Sequence, residues 1–287
     1  MGGISMEKVI YTNSRGESVE LGGEAPFILT KIEGTGAVNL NMQTQKSPYQ
    51  DGVSYLNSTL DPRDLSIEVT ILADNLNQMI TFRKELIKTF NPKLGKGSLI
   101  YKLGNIEREI TAIPELAPVF PDAGDFKEVM QKGLIQLFCP APLWIDPQIE
   151  ENEIITWVGG MVFPLTFPTA FSTAGDKIKN IINTGDVETP VKLEIYGKAT
   201  NPKILLRETG EFIKINKHIL SGEVLTVTTE FGNKRVELDG VNAFNYIDTS
   251  STFFNLEIGD NVIELITDVS NDNASIKITY RNRYLGV

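Results

Sequence analysis

A chain of 287 residues, 41% hydrophobic and 22% charged, has ordinary globular composition and apolar material for about two cores, which excludes disorder as the default. Its net charge of −10 comes without any basic cluster, which excludes a phosphate backbone as a tight partner and points to solubility. The single cysteine, Cys139, excludes an intrachain disulfide and fits synthesis in a cytoplasm, and the single histidine, His218, excludes zinc sites built from His and Cys clusters.

The start, Met1-Gly2-Gly3-Ile4-Ser5-Met6, lacks a basic region followed by an apolar stretch, so no secretory signal is expected there. Residues 34–64 are rich in Gly, Asn, Gln, Ser and Pro, with few strand signals beyond Ala37 to Met42. A loop this long in a compact domain is usually functional, and an arm reaching a neighbouring subunit is a natural use. Leu65, Ile67, Val69 and Ile71 then alternate with Ser66, Glu68 and Thr70, the period of a half-buried strand.

One helix is predicted over about residues 75–90, where Leu76, Met79, Ile80, Leu86, Ile87 and Phe90 recur at helical spacing as a packing face. Asp74 or Asn75 caps its start, and Asn91-Pro92 ends it. Gly104-Asn105 between Leu99–Leu103 and Ile106–Ile110 predicts a tight hairpin, and Gly232-Asn233 predicts another. Pro140, Pro142 and Pro147 make a stiff connector, which places a domain boundary between residues 1–145 and 146–287. Residues 146–176 read as an irregular connector. The most apolar stretch, about 154–167, is broken by Gly159-Gly160 and Pro164 and is shorter than the ~20 residues that span a bilayer, so no membrane insertion is expected. Strands and regular turns follow to the alternation Ile276, Ile278, Tyr280, the pattern of an antiparallel sandwich.

Nothing in the chain assembles a reaction centre. Cys139 ends an apolar run, and His218 lies far from it in sequence. There is no G-x-S-x-G elbow, and Gly34-Thr35-Gly36 lacks a third glycine and a following helix. The stretch 268–273 lacks the Gly and Glu of a calcium loop and reads as a turn. Glu150-Glu151 and Glu107/Glu109 are acidic pairs of the kind any chain with 37 acidic residues contains. Asn57-Ser58-Thr59 and Asn273-Ala274-Ser275 match glycosylation sequons, which a bacterial or phage origin makes irrelevant. No enzyme, cofactor, catalytic residue or metal ligand is expected.

From the helix onward the chain resembles the distal tail protein family of siphophages. The resemblance rests on Met79 to Ile87, Phe90-Asn91-Pro92, the hairpin from Gly97 to Ile110, and Gln136 to Trp144. It continues through Asn183-Thr184-Gly185-Asp186 to Pro190, Gly222 to Val227, Gly240 to Ala243, Ser251 to Leu256, Gly259-Asp260-Asn261 and the final Tyr280 to Val287. Each motif alone is weak; their order and spacing are fairly specific. The family implies a mainly β fold. Its N-terminal domain is a β-sandwich or split barrel with one helix and a long arm, and its C-terminal domain is a galectin-like antiparallel β-sandwich on the outside of a ring. It also implies a structural role: a homo-oligomer, a hexameric ring, at the virion tail tip. That ring binds the tail tube protein on one face and a tail-associated hub protein on the other, with receptor-binding proteins carried in some relatives. A carbohydrate-binding module of the tail tip is the alternative, weakened by the absence of Trp after Trp157.

Overall fold

The computed structural model describes residues 7–36, 38–121, 126–127, 129–155, 157–158, 173–174, 177–269 and 273–287. Of the connector expected over 146–176, residues 156, 159–172 and 175–176, with most of the apolar stretch, lie outside these residues, as do residues 1–6 and residues 270–272 of the expected turn; Glu150–Ile155 is a sheet strand rather than the irregular segment expected. The protein is mostly β, with one α-helix among the described residues, and divides into two compact units, residues 1–147 with 284–287 and residues 148–283.

In unit 1 the strands are β1 (Glu7–Thr12), β2 (Ser18–Leu21), β3 (Phe27–Glu33), β4 (Leu40–Gln45), β5 (Ser54–Leu60), β6 (Arg63–Leu72), β7 (Gly97–Leu103), β8 (Ile106–Pro114), β9 (Phe126–Lys127), β10 (Met130–Cys139) and β11 (Trp144–Ile145). The main sheet runs β2-β1-β7-β8-β10-β6-β3. A parallel bridge between Gly22 and Ile28 joins its two ends, so the sheet curls into a nearly closed barrel. The alternation read in β6 is structural: Leu65, Ile67, Val69 and Ile71 are all buried, opposite Ile135 and Leu137 of β10 and beside Phe27 and Leu29 of β3. Gly104, at φ +59, makes the two-residue loop between β7 and β8.

The helix α1 (Leu76–Thr89) begins at Asn75, whose side chain accepts from the Gln78 amide at 3.0 Å. It closes the barrel with Met79, Leu86 and the following Phe90, which stacks on Tyr11 at 4.5 Å. The expected single packing stripe is in fact two. Leu76, Ile80 and Ile87 line up on solvent, roughly a quarter-turn from the buried line, because 3.6 residues per turn separates the two sets.

Unit 2 contains β12 (Glu150–Ile155), β13 (Trp157–Val158), β14 (Thr173–Ala174), β15 (Ile178–Asn183), β16 (Lys192–Gly197), β17 (Ala199–Thr200), β18 (Lys203–Leu206), β19 (Phe212–Lys214), β20 (His218–Ile219), β21 (Val224–Thr228), β22 (Arg235–Leu238), β23 (Val241–Asn242), β24 (Gly259–Ile266) and β25 (Ala274–Tyr280). A six-stranded sheet, β12-β25-β16-β21-β22-β23, and a four-stranded sheet, β15-β24-β18-β19, share one core. Leu193, Ile195, Ile276 and Ile278 come from the first, and Ile181, Ile204, Ile263 and Leu265 from the second. The stretch 183–190 is pinned by its first residue. Asn183 donates to the Val187 and Leu256 carbonyls at 2.9 and 3.2 Å and accepts from the Gly185 amide at 2.9 Å. The link between β21 and β22 is longer than the two residues expected at Gly232-Asn233. Thr229 is drawn off to Val191, its amide donating to the carbonyl at 3.0 Å, and the turn closes between Glu230 and Asn233. The last strand is β26 (Arg283–Tyr284); from Tyr284 the chain belongs to unit 1 again.

Candidate functional site

The segment 34–64 carries more strand than its composition suggests. β4 and β5 form a hairpin that pairs with no other strand among the described residues, and every residue of β4 is exposed. The register places Leu40 opposite Leu60, Met42 opposite Ser58 and Thr44 opposite Tyr55. Cross-strand partners share a face and successive residues alternate faces. One face therefore carries Leu40, Leu60, Met42 and Tyr55 together with Ser58 and Thr44, the Tyr55 hydroxyl lying 2.6 Å from Ser58 Oγ, and Leu56 falls at the register shift between the two strands. The other carries Asn41, Thr59, Gln43, Asn57, Gln45 and Ser54. Met42, Tyr55 and Leu56 are 61%, 60% and 59% exposed, and Tyr49 at the tip is fully exposed. Between Val38 and Leu60 the charged residues are Lys46 and Asp51, near the tip and opposite in sign, on a chain of net charge −10. The hairpin is nearly neutral, and on its more apolar face Leu40, Met42 and Tyr55 are exposed. Sequence reasoning found the arm through its length; the faces appear only once the strand register is known.

The arm leaves and rejoins the barrel at one place. Gly34 has φ +88, and a Cβ there would lie 2.1 Å from the Asp64 carbonyl oxygen, so only glycine fits the exit. Arg63, the first residue of β6, is buried and donates to the backbone carbonyls of Gly34, Pro142 and Leu285. Trp144 donates from Nε1 to the Thr35 carbonyl at 3.0 Å.

Two families match the chain, one described as "Phage tail protein RIFT-related domain" over residues 14–139 and one as "Siphovirus-type tail component, C-terminal domain" over residues 184–284. The chain belongs to the siphophage distal tail proteins. As a distal tail protein it is a structural component of the hub or baseplate type. The solved Dit protein of phage SPP1, described as a paradigm of the hub adsorption apparatus in phages infecting Gram-positive hosts, shares its fold. The TM-score is 0.70 at 13% identity, covering 96% of this chain and 99% of that one. A chain of the phage P2 baseplate in its activated conformation with Ca gives 0.53 at 11% identity, covering 98% and 99%. The same baseplate with Sr gives 0.50 at 12% identity, covering 95% and 97%. A search of the curated proteins found no match.

In this distal tail protein the residues considered for chemistry are dispersed. His218 is exposed in β20, its Nδ1 2.9 Å from Thr200 Oγ1. Cys139 is buried at the end of β10, and burial pushes its thiol up to about 12, far from a usable thiolate. Glu107 pairs with Lys102 at 3.2 Å, Glu109 accepts from Ser98 at 2.7 Å, and Glu151 pairs with Lys277 at 2.8 Å. These are sheet-surface contacts. Asp268 accepts from Asn201 at 2.8 Å. Among the described residues no three His, Cys, Asp or Glu side chains converge on a metal position, and no helix is long and apolar enough to cross a membrane.

Proposed function

We propose that this distal tail protein closes into a ring of six copies that connects the tail tube to the host-adsorption tip, with the arm 34–64 holding each copy to the next. The observation that carries this is the face of the β4–β5 hairpin that exposes Leu40, Met42 and Tyr55, in a unit whose strands β6 and β10 alternate between core and solvent. A two-stranded hairpin alone is marginal in water, so its order needs a partner surface. Burying a Leu or Met side chain stabilises by ~1.5–3 kcal/mol, so Leu40, Met42 and Tyr55 supply enough to hold a subunit contact. A neutral arm also meets an acidic neighbour without repulsion. A head-to-tail contact repeated around an axis closes into a ring, and an arm added to a neighbouring surface is such a contact.

The likeness to the SPP1 hub protein supports the tail-tip location. On this reading the tube protein and a tail-associated hub protein bind opposite ring faces, and unit 2 offers a surface for receptor-binding proteins. The role is structural, without catalysis. The net negative charge suits a lumen through which DNA passes without adhering; a basic lumen in the assembled ring would remove that part of the reading.

Light scattering of the purified protein, with negative-stain imaging of the same fraction, tests the proposal. Six-membered rings with a central hole are expected. A single-chain mass that persists after adding the tube and tail-associated hub proteins would overturn it.

A further inference from the structure

We infer that the C-terminal tail, residues 284–287, is clasped to the arm's root through Arg63 and sets the direction in which the arm leaves the barrel. This rests on the reading of the arm as the element that holds the ring.

The clasp joins three backbone segments far apart in sequence. Arg63 is 2% exposed. Its Nε donates to the Pro142 carbonyl at 2.9 Å, its Nη2 to the Leu285 carbonyl at 2.6 Å, and its Nη1 to the Gly34 carbonyl. A guanidinium presents its donors in a rigid fork, so three acceptors satisfied at once fix three chains relative to one another. Arg63 itself follows the arm's return strand and Gly34 begins its exit, so the side chain ties the arm's two ends together; the other two acceptors are Pro142, just after β10, and Leu285.

The tail has its own attachments in unit 1. The Tyr284 hydroxyl donates to Asp146 Oδ2 at 2.9 Å, and Arg108 donates to Asp146 Oδ1 at 2.7 Å. The Arg108 guanidinium lies 3.5 Å from the centre of the Tyr284 ring. Val287 packs against the barrel core. Gly286 lies against the arm's exit so closely that a Cβ on it would be 3.1 Å from the Gly36 carbonyl oxygen. The tail backbone therefore lies directly on the first residues of the arm.

Leverage gives this contact its importance. At about 3.3 Å per residue, the hairpin reaches roughly 30 Å from its root, so a tilt of about 10° there moves the tip by roughly 5 Å. Because β4 and β5 pair only with each other among the described residues, no neighbouring strand corrects such a tilt.

The test compares the full chain with a chain lacking residues 284–287, with Arg63→Lys, and with a chain whose residues 38–61 are replaced by a short Gly-Ser link. Amide hydrogen exchange is read at 33–36 and 63–65, at the centres of β6 and β10, and across unit 2; mass is read by light scattering. Removing the tail is expected to speed exchange at the root about tenfold, leave β6, β10 and unit 2 unchanged, and lower the ring fraction. An unchanged root and an undiminished ring would overturn the clasp. Should the deletion unfold unit 1, Arg63→Lys decides: it keeps the charge but loses the fork, and an unchanged root in that variant overturns the proposal. If the arm-replaced chain still forms rings, the arm reading fails, and root exchange in the tail-deleted chain still judges the clasp on its own.

Discussion

Strands β6 and β4 start from different sequences and end in opposite conditions. In β6 every second side chain, from Leu65 to Ile71, is buried between β3 and β10. In β4 no side chain is buried, although Leu40 and Met42 alternate with Asn41 and Gln43 in the same period of two. Period alone therefore does not tell whether a strand belongs to its own core or to another chain's. The surrounding composition helps: β6 sits among residues that close a barrel, while β4 and β5 are surrounded by amides and hydroxyls with almost no charge. The same alternation thus accompanies a buried strand in β6 and a fully exposed one in β4.

That comparison can be broken or sharpened by four measurements, taken from the largest expected effect to the smallest. Phe90→Ala removes the ring stacked on Tyr11 inside the barrel and should cost ~3–5 kcal/mol in denaturant unfolding of unit 1. A cost below about 1 kcal/mol would mean that the helix does not complete the core.

Alkaline titration comes next. Burial raises the Tyr11 and Tyr101 hydroxyls from 10.0, and the Cys139 thiol from 9.0, each to about 12. The folded barrel thus keeps protons that the unfolded chain releases. Its stability is full below about pH 9 and is lost as pH climbs towards 12. Tyrosinate absorbance and circular dichroism followed together should show ionisation and loss of structure coinciding. Ionisation of all the tyrosines with structure intact would contradict the burial.

Asn75→Ala removes the helix cap and should lower stability by about 1 kcal/mol, visible as a lower melting midpoint. The smallest stability effect belongs to the arm. Met42→Ser combined with Tyr55→Ser should change the unfolding of a dilute single chain by no more than about 0.5 kcal/mol while abolishing assembly seen by light scattering. A loss as large as that of Asn75→Ala would show that the arm is part of its own unit's core, and the contrast with β6 would collapse.

Much of the fold was legible in advance, for identifiable reasons. Alternation at Leu65 to Ile71 and at Ile276 to Tyr280 marked buried strand faces because burial imposes that period directly. The helix was visible within a residue or two of its ends because Asn75 and Pro92 act locally. The helix's exposed line, Leu76, Ile80 and Ile87, could not be separated from the buried one, since both follow helical spacing and only the barrel decides which side is in. Residues 34–64 stood out by length and composition. That they form a hairpin with one apolar face was hidden, because Gln, Asn and Ser carry little strand preference and the pairing itself supplies the order. The root of the arm was the least legible part. Arg63 met in sequence is one cation among 27, and its partners at Gly34, Pro142 and Leu285 are backbone atoms that leave no residue-type signal.

The return of the chain to unit 1 at Tyr284 bears on the order of synthesis. A ribosome makes residues 1–147 before unit 2, and only after unit 2 the residues 284–287 that belong with unit 1. The arm therefore emerges well before Leu285 and Gly286, which lie against its root. A nascent chain thus carries the β4–β5 hairpin before the backbone that lies against its root exists, and the root is complete only once unit 2 has been made.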